Sequence, residues 1–81
     1  MSYGYSQNLI QANKSASVKL PGVALGRACI SAGISVNDVA EYFGVSRMTV
    51  YNWFKGDSSP VKNLVEPIQR YTHLVKQYNR V

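Results

Sequence analysis

From residue 21 onward apolar positions recur every three or four residues, and each recurring run stops at a glycine. Leu25, Ala28, Cys29 and Ala32 fall on one side of a segment that Pro21 opens and Gly33 closes. Proline suits a helix's first turn and glycine the left-handed residue just past its end, so the pattern predicts a helix there. Val36, Val39, Ala40 and Phe43 mark a second helix that ends at Gly44. Ser35 is placed to cap it, with Asp38 three residues on completing an approximate capping box. Ser46 caps a third, which Gly56 ends and Pro60 keeps from continuing. Leu64, Ile68, Tyr71, Val75 and Tyr78 recur along a longer fourth, opened by the cap-like pair Asn63 and Glu66. Pro67 lies close enough to its start that a kink is the most it should cause. Residues 1–20, rich in Ser, Asn, Gln and Tyr without a steady period, read as a flexible arm with a short extended piece at 17–20. The expectation is an all-α domain over residues 21–81 behind an arm over 1–20.

The third helix holds the chemistry. At about 100° per residue, Val50, Trp53 and Phe54 gather on one face, while Met48, Tyr51, Asn52 and Lys55 fall opposite, with Arg47 and Thr49 at the margins. A face that only met water would be rich in Glu, Lys and Gln. This one carries side chains able to read base edges: a guanidinium holds guanine, a carboxamide holds adenine, and Met or Tyr touches a thymine methyl.

Charge strengthens that picture. Nine Lys and Arg against four Asp and Glu leave a formal charge of +5 on 81 residues, an excess that attracts polyanions. The length allows one modest core and disfavours a large catalytic cleft. No apolar run approaches the roughly 20 residues of a bilayer span, and the start lacks a secretion signal, so no membrane is expected and a cytoplasmic setting is. The stretch "VALGRAC" superficially resembles a lipid-attachment box, but Arg27 breaks its apolar character. Cys29 is the sole cysteine, which excludes an intrachain disulfide and reads as a small buried hydrophobe. His73 has no companion at metal-ligand spacing, and caps or solvated faces account for Asp38, Glu41, Asp57 and Glu66. With no activated nucleophile, acid–base pair or phosphate loop, neither enzymatic activity, nor a metal or cofactor, nor a small-molecule ligand is expected.

The stretch "VNDVAEYFGVSRMTVYNWF" resembles the helix-turn-helix of the Cro and phage-repressor type. Ala40 stands where the two helices cross, Gly44 stands in the turn, and Val39, Phe43, Val45, Val50 and Trp53 occupy the locking apolar positions. "WFKGDSSP" is similar to the family's usual end of the recognition helix, and the resemblance extends over about residues 21–75. It implies a compact lambda-repressor-like domain of four to five helices whose third predicted helix enters the major groove with its N-terminal residues foremost. It nominates Arg47, Met48, Thr49, Tyr51 and Asn52 for bases. Ser35, Asn37, Ser46, Lys55 and Lys62 then fall near phosphates, and Lys19, with Lys14, would follow the duplex from the arm. Val36 replaces a glutamine common in the family, which by the resemblance removes a contact to the DNA backbone or a support for a base-reading partner.

These expectations amount to a sequence-specific double-stranded DNA-binding protein, a small phage-type repressor that acts by operator occupancy. One recognition helix reads few bases, so a homodimer on an inverted repeat is expected, joined through Tyr71, Leu74, Val75 and Tyr78 of the last helix. Within that last helix the alternative is that these residues only cover the first helix. An architectural or packaging role for the same helix-turn-helix, or inhibition of a protein partner by the helical module, are the competing functions.

Overall fold

The computed structural model of the protein describes residues 6–78. Five helices follow in order: α1 (Gln7–Ser15), α2 (Pro21–Ala32), α3 (Val36–Phe43), α4 (Arg47–Lys55) and α5 (Lys62–Tyr78), with no strand among the described residues. The all-α class expected from the periodicity is therefore the observed one.

Three of the helices stop in the same way. Gly33, Gly44 and Gly56 all take positive φ, at 75°, 69° and 82°. After each, the next amide reaches five residues back: Ile34 to the Cys29 carbonyl at 3.0 Å, Val45 to Ala40 at 3.0 Å and Asp57 to Asn52 at 2.9 Å. The glycine amides themselves donate to Ile30, Glu41 and Trp53, which completes three Schellman motifs and satisfies carbonyls the helices would otherwise leave open. Starts are equally explicit. The hydroxyls of Ser35 and Ser46 accept from the amides of Asp38 and Thr49, each at 3.1 Å. Between α3 and α4 this leaves only Gly44, Val45 and Ser46, a stop and a start fused into one tight turn.

The arm expected over residues 1–20 is a helix where the structure describes its middle. Ser6 caps α1 by accepting from the Leu9 amide at 3.1 Å. Leu9 then enters the core and Asn13, one turn later, is 1% exposed. Asn13 is the reason the helix is held. Its amide nitrogen donates to the Val23 carbonyl of α2 at 3.1 Å and the Phe54 carbonyl of α4 at 2.8 Å. In return Arg27 of α2 donates through Nη2 to the carbonyls of Asn13 and Lys14, at 2.9 and 3.1 Å, closing the C-terminal end of α1 with a cation. Residues 1–5 of the expected arm lie outside the described residues. The extended piece expected at 17–20 is a turn, with the Leu20 amide bonded to the Ser17 carbonyl at 3.1 Å.

Helix α2 is the central element, packed against α1, α4 and α5. It approaches α4 over two glycines. A methyl group at Gly22 would lie 2.7 Å from Cβ and 2.9 Å from the carbonyl oxygen of Trp53. One at Gly26 would lie 2.6 Å from the Phe54 ring and 2.8 Å from the Asn13 amide nitrogen. Glycine inside a helix costs about 0.5–1 kcal/mol relative to alanine, so α2 accepts a local penalty to let another helix come this near. Val23, Leu25 and Cys29 of α2, Val39 of α3, Val50 and Phe54 of α4, and Ile68 of α5 are fully enclosed. Burial pushes the Cys29 thiol from 9.0 up to about 12, which keeps it protonated as the small hydrophobe expected.

Helix α5 begins at Lys62, so Asn63 sits inside its first turn instead of capping it. Pro67 removes one bond, to the Asn63 carbonyl, near an end where few bonds are lost, and the helix runs on to Tyr78. Ile68, Thr72 and Val75 form its buried stripe, with the Thr72 hydroxyl donating to the Ile68 carbonyl at 2.8 Å. Tyr71 joins an aromatic cluster, 4.7 Å from Tyr42 and 5.4 Å from Phe43 by ring centroid, and Phe43 meets Trp53 edge-on at 6.1 Å. Desolvation in that cluster raises the Tyr71 phenol above its ordinary value.

Two substitutions separate the two kinds of constraint. Asn13→Ala should lower the unfolding free energy by about 1–3 kcal/mol, the cost of leaving buried polar groups without a partner, read from urea midpoints. An unchanged midpoint would mean that Asn13 does not hold α1. At Gly44 an added methyl meets nothing within 4 Å, so Gly44→Val acts through positive φ alone and should cost roughly 1–2 kcal/mol or more, a drop of several degrees in Tm. A melt identical to that of the parent chain would contradict the turn.

Candidate nucleic-acid interface

Helix α4 presents one face to the core and another outward. Val50, Trp53 and Phe54 are buried at 0%, 3% and 0% exposure, whereas Met48 is 66% exposed and Arg47 is also open to solvent. The rotation argued from sequence thus holds at the start of the helix. Further along, the outward face is less free. Tyr51 and Asn52 are half-buried, and Tyr51 packs against the edge of the core. Thr49 is half-buried too, and its hydroxyl lies 3.0 Å from that of Ser46, the capping residue. The side chains nominated for bases therefore divide: Arg47 and Met48 stand clear, and Thr49, Tyr51 and Asn52 are partly engaged by the protein.

Those nominated for phosphates also divide. Ser46, Asn37 and Lys62 are exposed, at the starts of α4, α3 and α5 respectively, and Ser35 is half-buried as the cap of α3. Lys55 is paired with Asp57 at 3.4 Å, an ion pair across the end of α4. Lys19 is exposed in the turn before α2, beside the end of α4, since a methyl at Gly56 would lie 3.3 Å from Ala16 and 3.5 Å from Leu20. Lys14 is exposed on α1 with its carbonyl held by Arg27.

The electrostatics of the helix ends are informative. An acid in the first turn normally stabilises a helix, and α3 has Asp38 there. In α4 the first turn has no acid and opens on Arg47, and α5 likewise opens on Lys62 with no acid in its first turn. A cation at the positive end of a helix opposes folding by about 0.3–1 kcal/mol, so neither Arg47 nor Lys62 adds to the stability of its own helix through the dipole. An anion outside the protein would meet both the cation and the helix end favourably.

Sequence reasoning missed the contribution of α1. Ser6, Asn8 and Leu9 face Met48, Tyr51 and Lys55 across a depression of about 300 Å³. The only hint was a serine three residues before Leu9, a cap without an acidic partner and without an apolar stripe behind it. Elsewhere, among the described residues, no group of three or more His, Cys, Asp or Glu side chains is arranged to hold a metal ion, and no helix is long and apolar enough to cross a membrane.

A short connection between α3 and α4, an α4 locked on α2, and an outward face opening on arginine define a helix-turn-helix domain. Residues 22–58, which span α2 through the loop beyond α4, match the family model of a homeodomain-like domain. The match covers α2, α3 and α4, somewhat under half of the chain, and it does not single out the Cro and phage-repressor type. No curated protein and no solved structure matches the chain.

Proposed function

We propose that the chain is a sequence-specific double-stranded DNA-binding protein, a small phage-type repressor that acts by occupying its operator. What carries the reading is Arg47: an exposed guanidinium at the first position of α4, where its charge opposes the helix dipole and a bound anion would offset that cost. In a major groove Arg47 and Met48 would lead, with Tyr51 and Asn52 behind them and Thr49 serving the cap. Ser35, Asn37, Ser46, Lys62 and Lys19 would meet phosphates, and Lys55 would do so after exchanging Asp57 for a phosphate oxygen.

The test is selection from a random duplex library at two salt concentrations, followed by the same selection on variants. Arg47→Ala should cost about 1–3 kcal/mol on the preferred duplex and relax choice at one base pair, with little effect on random DNA beyond the loss of one charge. Equal losses on selected and random DNA would remove base reading from Arg47. A reporter driven from the selected site distinguishes repression from a packaging or architectural role.

Binding as a homodimer on half-sites about 34 Å apart belongs to the same proposal. Its support is narrower than the sequence implied. Val75 is 6% exposed and serves the core, and Tyr71 is taken up by the aromatic cluster, so neither is free to join a second copy. Leu74 and Tyr78, 55% and 93% exposed, remain beside an apolar depression shared with Ala32 and Ile34. Replacing both with serine should shift sedimentation from dimer to monomer without lowering Tm. A parent chain that sediments as a monomer on the selected duplex would rule out the dimer.

A further inference from the structure

We infer that α1 is a second DNA-reading element and that Asn8 sets specificity at a base pair beside those under α4. This deepens the DNA-binding reading and rests on it. Met48, Tyr51 and Lys55 are spaced three and four residues apart, so they form one stripe along α4, and the first turn of α1 lies along that stripe. Contacts further on keep the same order: Asn13 reaches Phe54, and Ala16 lies beside Gly56. Helix α1 thus runs alongside the recognition helix, its beginning next to the exposed Met48. A duplex edge that meets Met48 and Tyr51 is brought to Asn8 as well.

The chemistry at that place suits a base edge. Asn8 is exposed, and its carboxamide has no hydrogen-bond partner among the described residues, so both its donor and its acceptor are free for the two groups adenine offers in the major groove. Ser6, by contrast, is occupied as a cap. Met48, 66% exposed, supplies an apolar contact for a thymine methyl, and Lys55 supplies charge at the rim once a phosphate replaces Asp57 as its partner. Charge also favours this side of the domain. The first acidic residue of the sequence is Asp38, so α1, the following turn and α2 carry Lys14, Lys19 and Arg27 with no acid to repel a backbone.

The experiment uses the full chain, a random duplex library, and the variants Asn8→Ala, Asn8→Asp and Arg47→Ala, each first shown to melt as the parent does. Asn8→Ala should bind the parent's selected duplex about tenfold more weakly, lose preference at one base pair distinct from that of Arg47, and leave random-duplex binding unchanged. Asn8→Asp should weaken every duplex, since it places an anion against the backbone. If Asn8→Ala selects the parent's site with the parent's affinity while Arg47→Ala relaxes it, α4 reads alone and the inference is overturned with DNA binding intact. If the parent chain enriches no duplex at low salt, the underlying reading falls and takes this one with it.

Discussion

The molecule depends on how closely α2 can approach α4. Two glycines on one side of α2 remove every side-chain atom that would hold the helices apart, and the space left at Gly26 is filled by the Phe54 ring and the amide of Asn13. That amide then bonds to a carbonyl on each helix, so one side chain from α1 fixes the separation of the other two. Phe54 lies in the last turn of α4, and its carbonyl accepts from Asn13. Asn13 therefore completes the end of α4 while it anchors α1. A larger apolar residue at position 13 would fill the volume and leave the Phe54 carbonyl without this bond; a charged one would bury a charge among carbonyls.

The turn between α3 and α4 depends on that arrangement from the other side. Gly44 needs its positive φ and nothing more, since the space around it is open, whereas Gly22 and Gly26 need their smallness and not their φ. Ala40, one turn before Gly44, supplies the carbonyl that receives the Val45 amide and is itself buried in the core. The local turn sets where α4 leaves α3, and the glycine side of α2 sets how deeply α4 settles. Together they decide which residues of α4 remain outside: Arg47 and Met48 fully, Tyr51 and Asn52 in part.

Much of this was legible because punctuation and periodicity are local. Gly33, Gly44 and Gly56, with Ser35 and Ser46, gave the ends of α2, α3 and α4, and a rotation of 100° per residue was enough to set Arg47 and Met48 opposite Val50, Trp53 and Phe54. Helix α1 was not legible, because the second anchor in its buried stripe is an asparagine, and its partners lie 10 and 41 residues away. Gly22 and Gly26 read as ordinary helix residues until the facing helix is known. Val75 and Leu74 are neighbours on an apolar stretch of α5, and periodicity marks the stripe without saying where its covered part ends; packing on α2 encloses Val75 and leaves Leu74 outside. The hydroxyl of Thr49 was similarly open to two uses, and the cap at Ser46 took it.

What unites the candidate interface is a set of choices that do not favour the free chain. Arg47 and Lys62 each put a cation at the positive end of a helix, whereas α3 carries Asp38 in its first turn. Asn8 leaves a carboxamide open in the first turn of α1, at a place where an acid would have strengthened the helix. The losses are individually small, a few tenths of a kcal/mol to about 1 kcal/mol, but they share a direction: each becomes favourable beside a polyanion. Of the five helices only α3 has an acid in its first turn, and α1 and α4 border the depression at Met48. A domain this small has little stability to give up, so the cations at the starts of α4 and α5 are a cost in the free chain that a polyanion bound as proposed would offset.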